Sequence, residues 1–180
     1  MGTAGTPQPA KLVIAVMWAD TARVDEVLSS IREHEGAIDF SFGPVPFDFT
    51  TYYAKEMGTE LRKAYYTFAR PFDRSRLPAI KTLTNAIERR HTRPEGGRGI
   101  NLDPGYLTND KLVLASTKDF YHRIYLDRGI YAEVTLHYRQ GRWRHFSWTY
   151  PDYKTEGVCR FLEKARAKLV GEMRKGRING

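Results

Sequence analysis

At 180 residues, 41% hydrophobic and 13% aromatic, the chain is long enough to bury a core and too apolar to stay disordered outside its ends. Its formal charge of +8 favours anionic partners (nucleotides, nucleic acid or an acidic surface), although basic helix faces and loops are commonly just solvated. No apolar run approaches about 18 residues, no signal-peptide pattern opens the chain, and the lone Cys159 rules out an internal disulfide and a cysteine-based zinc site, so no membrane association and a cytoplasmic setting are expected.

Residues 1–10 read as a disordered lead, 11–175 as a single α+β domain, and 176–180 as a tail. Lys11 to Trp18 is a continuous apolar run with β-branched members, the pattern of a strand buried on both faces. Asp20 offers an N-cap to a helix whose apolar stripe is Val24, Val27, Leu28 and Ile31, with Gly36 as its stop. Ile38, Phe40 and Phe42 alternate with polar or small residues and predict a second strand. After Pro44-Val-Pro46, the segment Phe47 to Gly58 reads as a short helix or structured loop. If it is helical from about Thr50, Tyr52, Tyr53 and Glu56 share a face. Leu61 to Ala69 predicts a third strand with Ala64, Tyr66 and Phe68 on one face. Ser75 then caps a helix striped by Leu77, Ile80, Leu83, Thr84 and Ile87, with Pro78 tolerated in its first turn.

A basic Gly-rich loop follows, and Ile100 to Leu102 is a candidate fourth strand. The order β-α-β-β-α-β is that of a ferredoxin-like split βαβ sheet. Asn109 to Ser116 fits a helix or a strand equally. His122 to Leu126, Ile130 to Tyr138 and Trp143 to Trp148 predict an antiparallel meander. Val158, Phe161, Leu162, Ala165, Leu169 and Met173 then predict an amphipathic C-terminal helix with a basic outer face.

Turn chemistry predicts the meander's register. A three-residue loop at Asp127-Arg128-Gly129 pairs Leu126 with Ile130, Ile124 with Ala132 and His122 with Val134, placing these on a core face. Arg123 then meets Glu133 and Tyr125 meets Tyr131 on the opposite face. A similar loop at Arg139-Gln140-Gly141 turns Phe146 and Trp148 inward and sets His145 and Ser147 near Thr135 and Glu133.

Ionisable and aromatic residues crowd Ile100 to Tyr153, where seven tyrosines stand beside Asn101, Asp103, Lys118, Asp119, His122, Arg123, Glu133 and Asp152. Asp103, at a strand end running into a Pro-Gly turn, can bind Mg²⁺ or serve as a base, or it can brace the turn. Thr117-Lys118-Asp119 is like the guanine-reading motif of GTPases, but no G-x-x-x-x-G-K-[ST] phosphate loop exists, which excludes a Ras-like GTPase. Lys118 and Arg123 can still hold a phosphate or carboxylate. His122, three residues after Asp119, fits an acid–base pair or a buried hydrogen-bonded histidine. Histidine metal spacing is absent. A bound metal would be Mg²⁺ or Mn²⁺ on carboxylates, chiefly Asp103 and Glu133, with Asp48 or Glu56 in reserve. Trp148 to Tyr153 reads as a base-stacking platform or a packed corner, and Phe47 to Tyr53 takes the same two readings.

Four blocks carry a resemblance: PFDFTTYYAKEMG (Pro46 to Gly58), NLDPGYLTNDKLVLASTKDFYHRIYL (Asn101 to Leu126), GIYAEVTL (Gly129 to Leu136) and WTYPDY (Trp148 to Tyr153). Together they resemble domain-of-unknown-function family 4416, over nearly the whole chain. Members are sometimes labelled GTP-binding, a label the missing phosphate loop does not support. Thr51 departs from the acidic residue expected there.

The function expected is binding or processing of an anionic small molecule, phosphorylated or nucleotide-like, with Mg²⁺ as a candidate cofactor. Lys118 and Arg123 would clamp the anion, Asp103, Glu133 and His122 would be the acid–base candidates, and Asp119, Asn101, Asp48, Tyr52, Glu56, Tyr131, Tyr150 and Asp152 would complete the pocket. The rival is an RNA-binding module using the sheet and its basic flanks, against which the absence of an RNP-type string counts.

Overall fold

The computed structural model describes residues 2–19, 23–93 and 96–176. The fold is α+β. Its strands are β1 (Ala10–Trp18), β2 (Ile38–Pro46), β3 (Arg62–Phe72), β4 (Ile100–Leu107), β5 (Lys111–Ser116), β6 (Ile124–Asp127), β7 (Ile130–Arg139) and β8 (Arg142–His145). Its helices are α1 (Val24–Glu35), α2 (Ala54–Met57), α3 (Leu77–Arg90) and α4 (Glu156–Arg174). One antiparallel sheet runs β2-β3-β1-β4-β5-β7-β6, with β8 also pairing β7. Helices α1 and α3 each carry the chain past a neighbouring strand, from β1 to β2 and from β3 to β4.

Every residue of β1 is buried, because helices cover both faces of the sheet. Leu12, Ile14, Val16 and Trp18 pack with Val27 and Ile31 of α1 and Ile80 and Ile87 of α3. Val13 and Ala15 face the other way, into a core with Tyr65, Leu107, Leu112 and the Phe161–Leu162–Ala165 stripe of α4. The predicted apolar stripes of α1 and α4 are buried except for Met173, which is half-buried. Lys11 enters the core as a paired group: its Nζ donates to Asp39 Oδ2 at 2.7 Å and to the Phe68 carbonyl at 3.0 Å.

Several expectations change. Ala10 belongs to β1, paired with Phe72, and not to the lead. Asp20, the expected cap of α1, lies outside the described residues. Ser75 does not cap α3. It sits in a short 3₁₀ turn that Asp73 caps, accepting from the Ser75 backbone N–H at 2.9 Å. Residues 111–116 are strand, and their burial between β4 and β7 decides a segment whose pattern alone fits both states.

Both meander loops hold two residues, not three. Arg128 and Gly129 (φ 55° and 73°) and Gln140 and Gly141 (φ 53° and 76°) all take left-handed conformations, the geometry of tight hairpins that follow the strand twist. Ile124 pairs Ala132 and Tyr125 pairs Tyr131 as expected, but Asp127, not Leu126, pairs Ile130, and Leu126 is the bulge. Ile124 and Leu126 consequently stay exposed, since no layer covers the β6 edge. Strand β8 ends at His145, which pairs Leu136, and Trp143 is the residue it buries. Phe146 and Trp148 are only half-buried and stack on each other at 4.7 Å.

Candidate active cleft where two strands part

The expected Pro-Gly turn after Asp103 does not form: β4 runs straight through, with Pro104 opposite Ile14 and Gly105 opposite Val13. The turn chemistry is overridden because β1 supplies a full-length antiparallel partner. Pro104 instead acts on the other neighbour. Pairing with β5 covers Gly105, Tyr106 and Leu107 only, against Leu114, Val113 and Leu112. Leu102 and Pro104 turn their backbones the same way in the pleat, and Pro104 has no N–H to offer β5. Beyond that point the strands part. The Leu102 N–H donates to Glu88 Oε1 at 2.6 Å, and its carbonyl accepts from Lys81 Nζ at 2.8 Å. Two side chains of α3 thus take the backbone groups that a strand would otherwise pair, as buried polar groups require. Burial pushes the Glu88 carboxyl up, against the pull of Lys81.

The parting opens a cleft of about 410 Å³ on the α4 side of the sheet. Its floor carries Lys63, Asp103, Leu114, Ala115 and Glu133. Its walls are Phe47, Phe49, Thr50, Tyr52 and Tyr53 on one side and Tyr150 to Tyr153 on the other, with Ser116, Lys118 and Arg123 at the rim.

Asp152 is buried and accepts from Lys63 Nζ and Tyr65 Oη, each at 2.7 Å. The Lys63 ammonium also stands over the rings of Phe47, Tyr65 and Tyr153, 5.2 to 5.6 Å from their centroids. Burial, then the Asp152 charge, pushes the Tyr65 hydroxyl far up, so it stays a donor. Glu133, 3% exposed at its side chain, accepts from Arg123 Nε at 2.8 Å and lies 3.2 Å from His122 Nε2. Burial works against the Arg123 charge, but Glu133 and Tyr150 outweigh it and leave the guanidinium above its ordinary value.

Asp103 is the more open carboxylate. Its Oδ2 accepts from Asn101 Nδ2 at 2.9 Å, while Lys81 and Lys63 stand at 3.9 and 4.0 Å. Asn101 is itself held by Arg98 Nη1 at 2.6 Å, and Arg98 forks onto Glu56 at 2.7 and 2.8 Å. The Arg98 hydrogen bonds hold the Glu56 carboxyl below the usual range. That chain ties α2 to β4 and aims Asp103.

Of the residues expected in the site, Asp103, Lys118, Arg123, Glu133, Tyr52, Tyr150 and Asp152 line the one cleft. Asn101 and His122 stand behind its walls as partners of Asp103 and Glu133, and Glu56 lies one step further back, paired to Arg98, which does not line the cleft. Asp48 is exposed and borders a separate shallow cavity. Asp119 does not pair with His122; it lies against the Tyr131 hydroxyl, away from the cleft. His122 does not face Val134: its ring stacks on Trp148 at 5.0 Å, and it engages Glu133. Asp103 and Glu133, the expected metal pair, both face the cleft, and among the described residues no three His, Cys, Asp or Glu side chains gather as a ligand set.

Sequence reasoning missed Lys63, Tyr53, Tyr65, Tyr153 and Arg98. The signal available was Lys63 itself, a lysine inside a strand on the face opposite Ala64, Tyr66 and Phe68.

The molecule is an α+β protein with a half-open cleft at a parting in its sheet. The family model described as Domain of unknown function (DUF4416) matches residues 8–169, and the chain belongs to that family. Comparison with curated proteins and with solved structures gives no match. Among the described residues no helix is long and apolar enough to cross a membrane.

Proposed function

We propose that this chain binds a small anionic ligand, phosphorylated or nucleotide-like, in the cleft between β4 and β5. The observation that carries the reading is the meeting of Lys63, Lys118 and Arg123 with Phe47, Phe49, Tyr52, Tyr53 and Tyr150 around one concavity. Ligand sites typically span about 300–1,000 Å³, apolar for the most part with a few convergent polar groups, and this cleft meets that description. Lys118 supplies the direct anion contact, with Arg123, paired to Glu133, adding positive potential beside it, and the rings supply faces for a planar group. Asp103 is the candidate general base, because Glu133 is already engaged by Arg123 and His122. Mg²⁺ would bind at Asp103 only with the ligand's own oxygens and water completing its shell.

A thermal-shift series with nucleotides and sugar phosphates, with and without Mg²⁺, tests this. A native-state ligand at about 100 times its Kd adds about 2.7 kcal/mol. Stabilisation that Lys118→Gln weakens is the expected result, and no response across the series refutes the reading.

The RNA alternative draws on Phe120, Tyr121 and Tyr125, which are 57%, 80% and 58% exposed beside basic residues. It loses the open sheet face it needs, since α4 covers that side. Salt-sensitive binding of mixed RNA, with no small-molecule response, would favour it.

A further inference from the structure

Six formally charged side chains line the cleft: Lys63, Lys118 and Arg123 against Asp103, Glu133 and Asp152. Their formal charges cancel. Four of them are committed to each other as the Lys63–Asp152 and Arg123–Glu133 pairs, at 2.7 and 2.8 Å. The other two are of opposite sign and lie at different depths: Lys118 pairs with no carboxylate among the described residues, while Asp103 stands 4.0 Å from Lys63 and 3.9 Å from Lys81, at the outer limit of an ion pair.

Lys118 stands exposed at the rim. Its ammonium donates to the Tyr52 hydroxyl at 3.0 Å, and among the described residues no carboxylate lies within the 4.0 Å of an ion pair. Asp103 lies on the floor with 30% of its side chain exposed. Its Oδ2 is taken by Asn101, and among the described residues its Oδ1 accepts no hydrogen bond, with Lys81 Nζ 3.9 Å away. Beside it the Tyr153 hydroxyl is buried and has no hydrogen-bond partner among the described residues, a cost that a ligand acceptor would remove. Between rim and floor are the rings of Tyr52 and Tyr150, 64% and 48% exposed.

Resting on the cleft as the binding site, we infer that its ligand is two-ended: a nucleoside monophosphate. Its planar base lies between Tyr52 and Tyr150 with N–H donors toward Asp103, and its single phosphate meets Lys118. Charge counting sets the number of phosphates. One uncommitted ammonium matches one phosphate monoester, whereas a triphosphate would press further negative charge on three carboxylates with no spare cation. A nucleoside alone would leave Lys118 unused.

Calorimetric titration of the full chain with the four common nucleoside 5′-monophosphates, their nucleosides and their triphosphates tests this. At least one monophosphate binds about tenfold or more tightly than both its nucleoside and its triphosphate. Lys118→Gln, an exposed change that leaves the fold intact, removes the monophosphate's advantage over the nucleoside. Asp103→Asn, checked for native circular dichroism, weakens nucleoside and monophosphate alike by about tenfold. A triphosphate binding as well as the monophosphate, or a phosphate advantage that survives Lys118→Gln, overturns the two-ended ligand. Ser116→Trp, a bulky change at a half-buried lining position on the same face of β5 as Leu114, blocks the cleft and separates the two levels of failure. If it abolishes whatever binding is seen, the cleft stands as the site even where the ligand class is wrong. If binding persists through it, or no compound binds, both readings fall.

Discussion

Asp39 is a single carboxylate holding three elements together. It accepts from Lys11 of β1 at 2.7 Å, Thr67 of β3 at 2.6 Å and Lys168 of α4 at 2.9 Å. Burial raises its carboxyl, but these partners outweigh burial and hold it below the ordinary carboxylate range. A group lowered on folding contributes stability that is complete above its unfolded value of about 3.9 and disappears as pH falls through the lower folded one. Urea denaturation across acidic pH should therefore show stability falling below about pH 4. Asp39→Asn should lose that component and cost about 3–5 kcal/mol at pH 7, because Lys11 is left buried without its carboxylate.

Gly105 has a different constraint. A methyl group there would run into the Val113 carbonyl and Leu114, so β4 and β5 can pair at this point only through glycine. Gly105→Ala should destabilise by roughly 1–3 kcal/mol, read from the urea midpoint. Neither role is visible in the sequence. Asp39 reads there as the polar half of an alternating strand, and Gly105 as half of a Pro-Gly turn. Each depends on a neighbour distant along the chain.

Among the elements, α3 does more than cover one face. Its Lys81 and Glu88 stand in for a strand at Leu102 and so keep β4 and β5 apart where the cleft opens. Glu88→Ala should leave the Leu102 N–H buried and unpaired, at a cost of about 1–3 kcal/mol. Hydrogen exchange should show that amide opening faster than those of the β1–β4 ladder, and unchanged exchange at Leu102 would refute the role. The sequence does reveal α3 itself, through Leu77, Ile80 and Ile87 at helical spacing. Lys81 and Glu88 carry no such sign, because charged residues beside an apolar stripe ordinarily face water. Strand β3 teaches the same lesson from the other side. Its alternation marks Ala64, Tyr66 and Phe68 as a buried face, and by that logic the intervening Lys63 and Tyr65 should be wet. They are buried because α4 and the 151–154 turn cover them.

At the scale of the whole molecule, α4 closes the second face over β1, β2 and β3. Its Phe161 and Leu162 sit in the same core as Tyr153, which lines the cleft, and Tyr65, which donates to the lining Asp152. Leu162→Ala should cost about 2–5 kcal/mol, a fall in Tm of roughly 4–20 °C for a chain of this length. If Tm holds, α4 is a peripheral helix and the second core is not a unit. The basic charge of the chain also looks different once folded. Within the cleft three cations meet three carboxylates, so the overall excess of +8 lies outside the site.

By itself the sequence determined the α+β class, the helical stripes of α1, α3 and α4, most strand positions, and the density of reactive residues between Ile100 and Tyr153. These are local properties, legible because apolar periodicity and residue type act within a few positions of one another. Only the tertiary structure decided that Asp103 lies within a strand, that Lys63 answers Asp152 from 89 positions away, and that Glu88 holds open the gap beside them. Such pairings are settled by which distant backbone arrives to satisfy a buried polar group, and spacing along a chain does not encode that meeting.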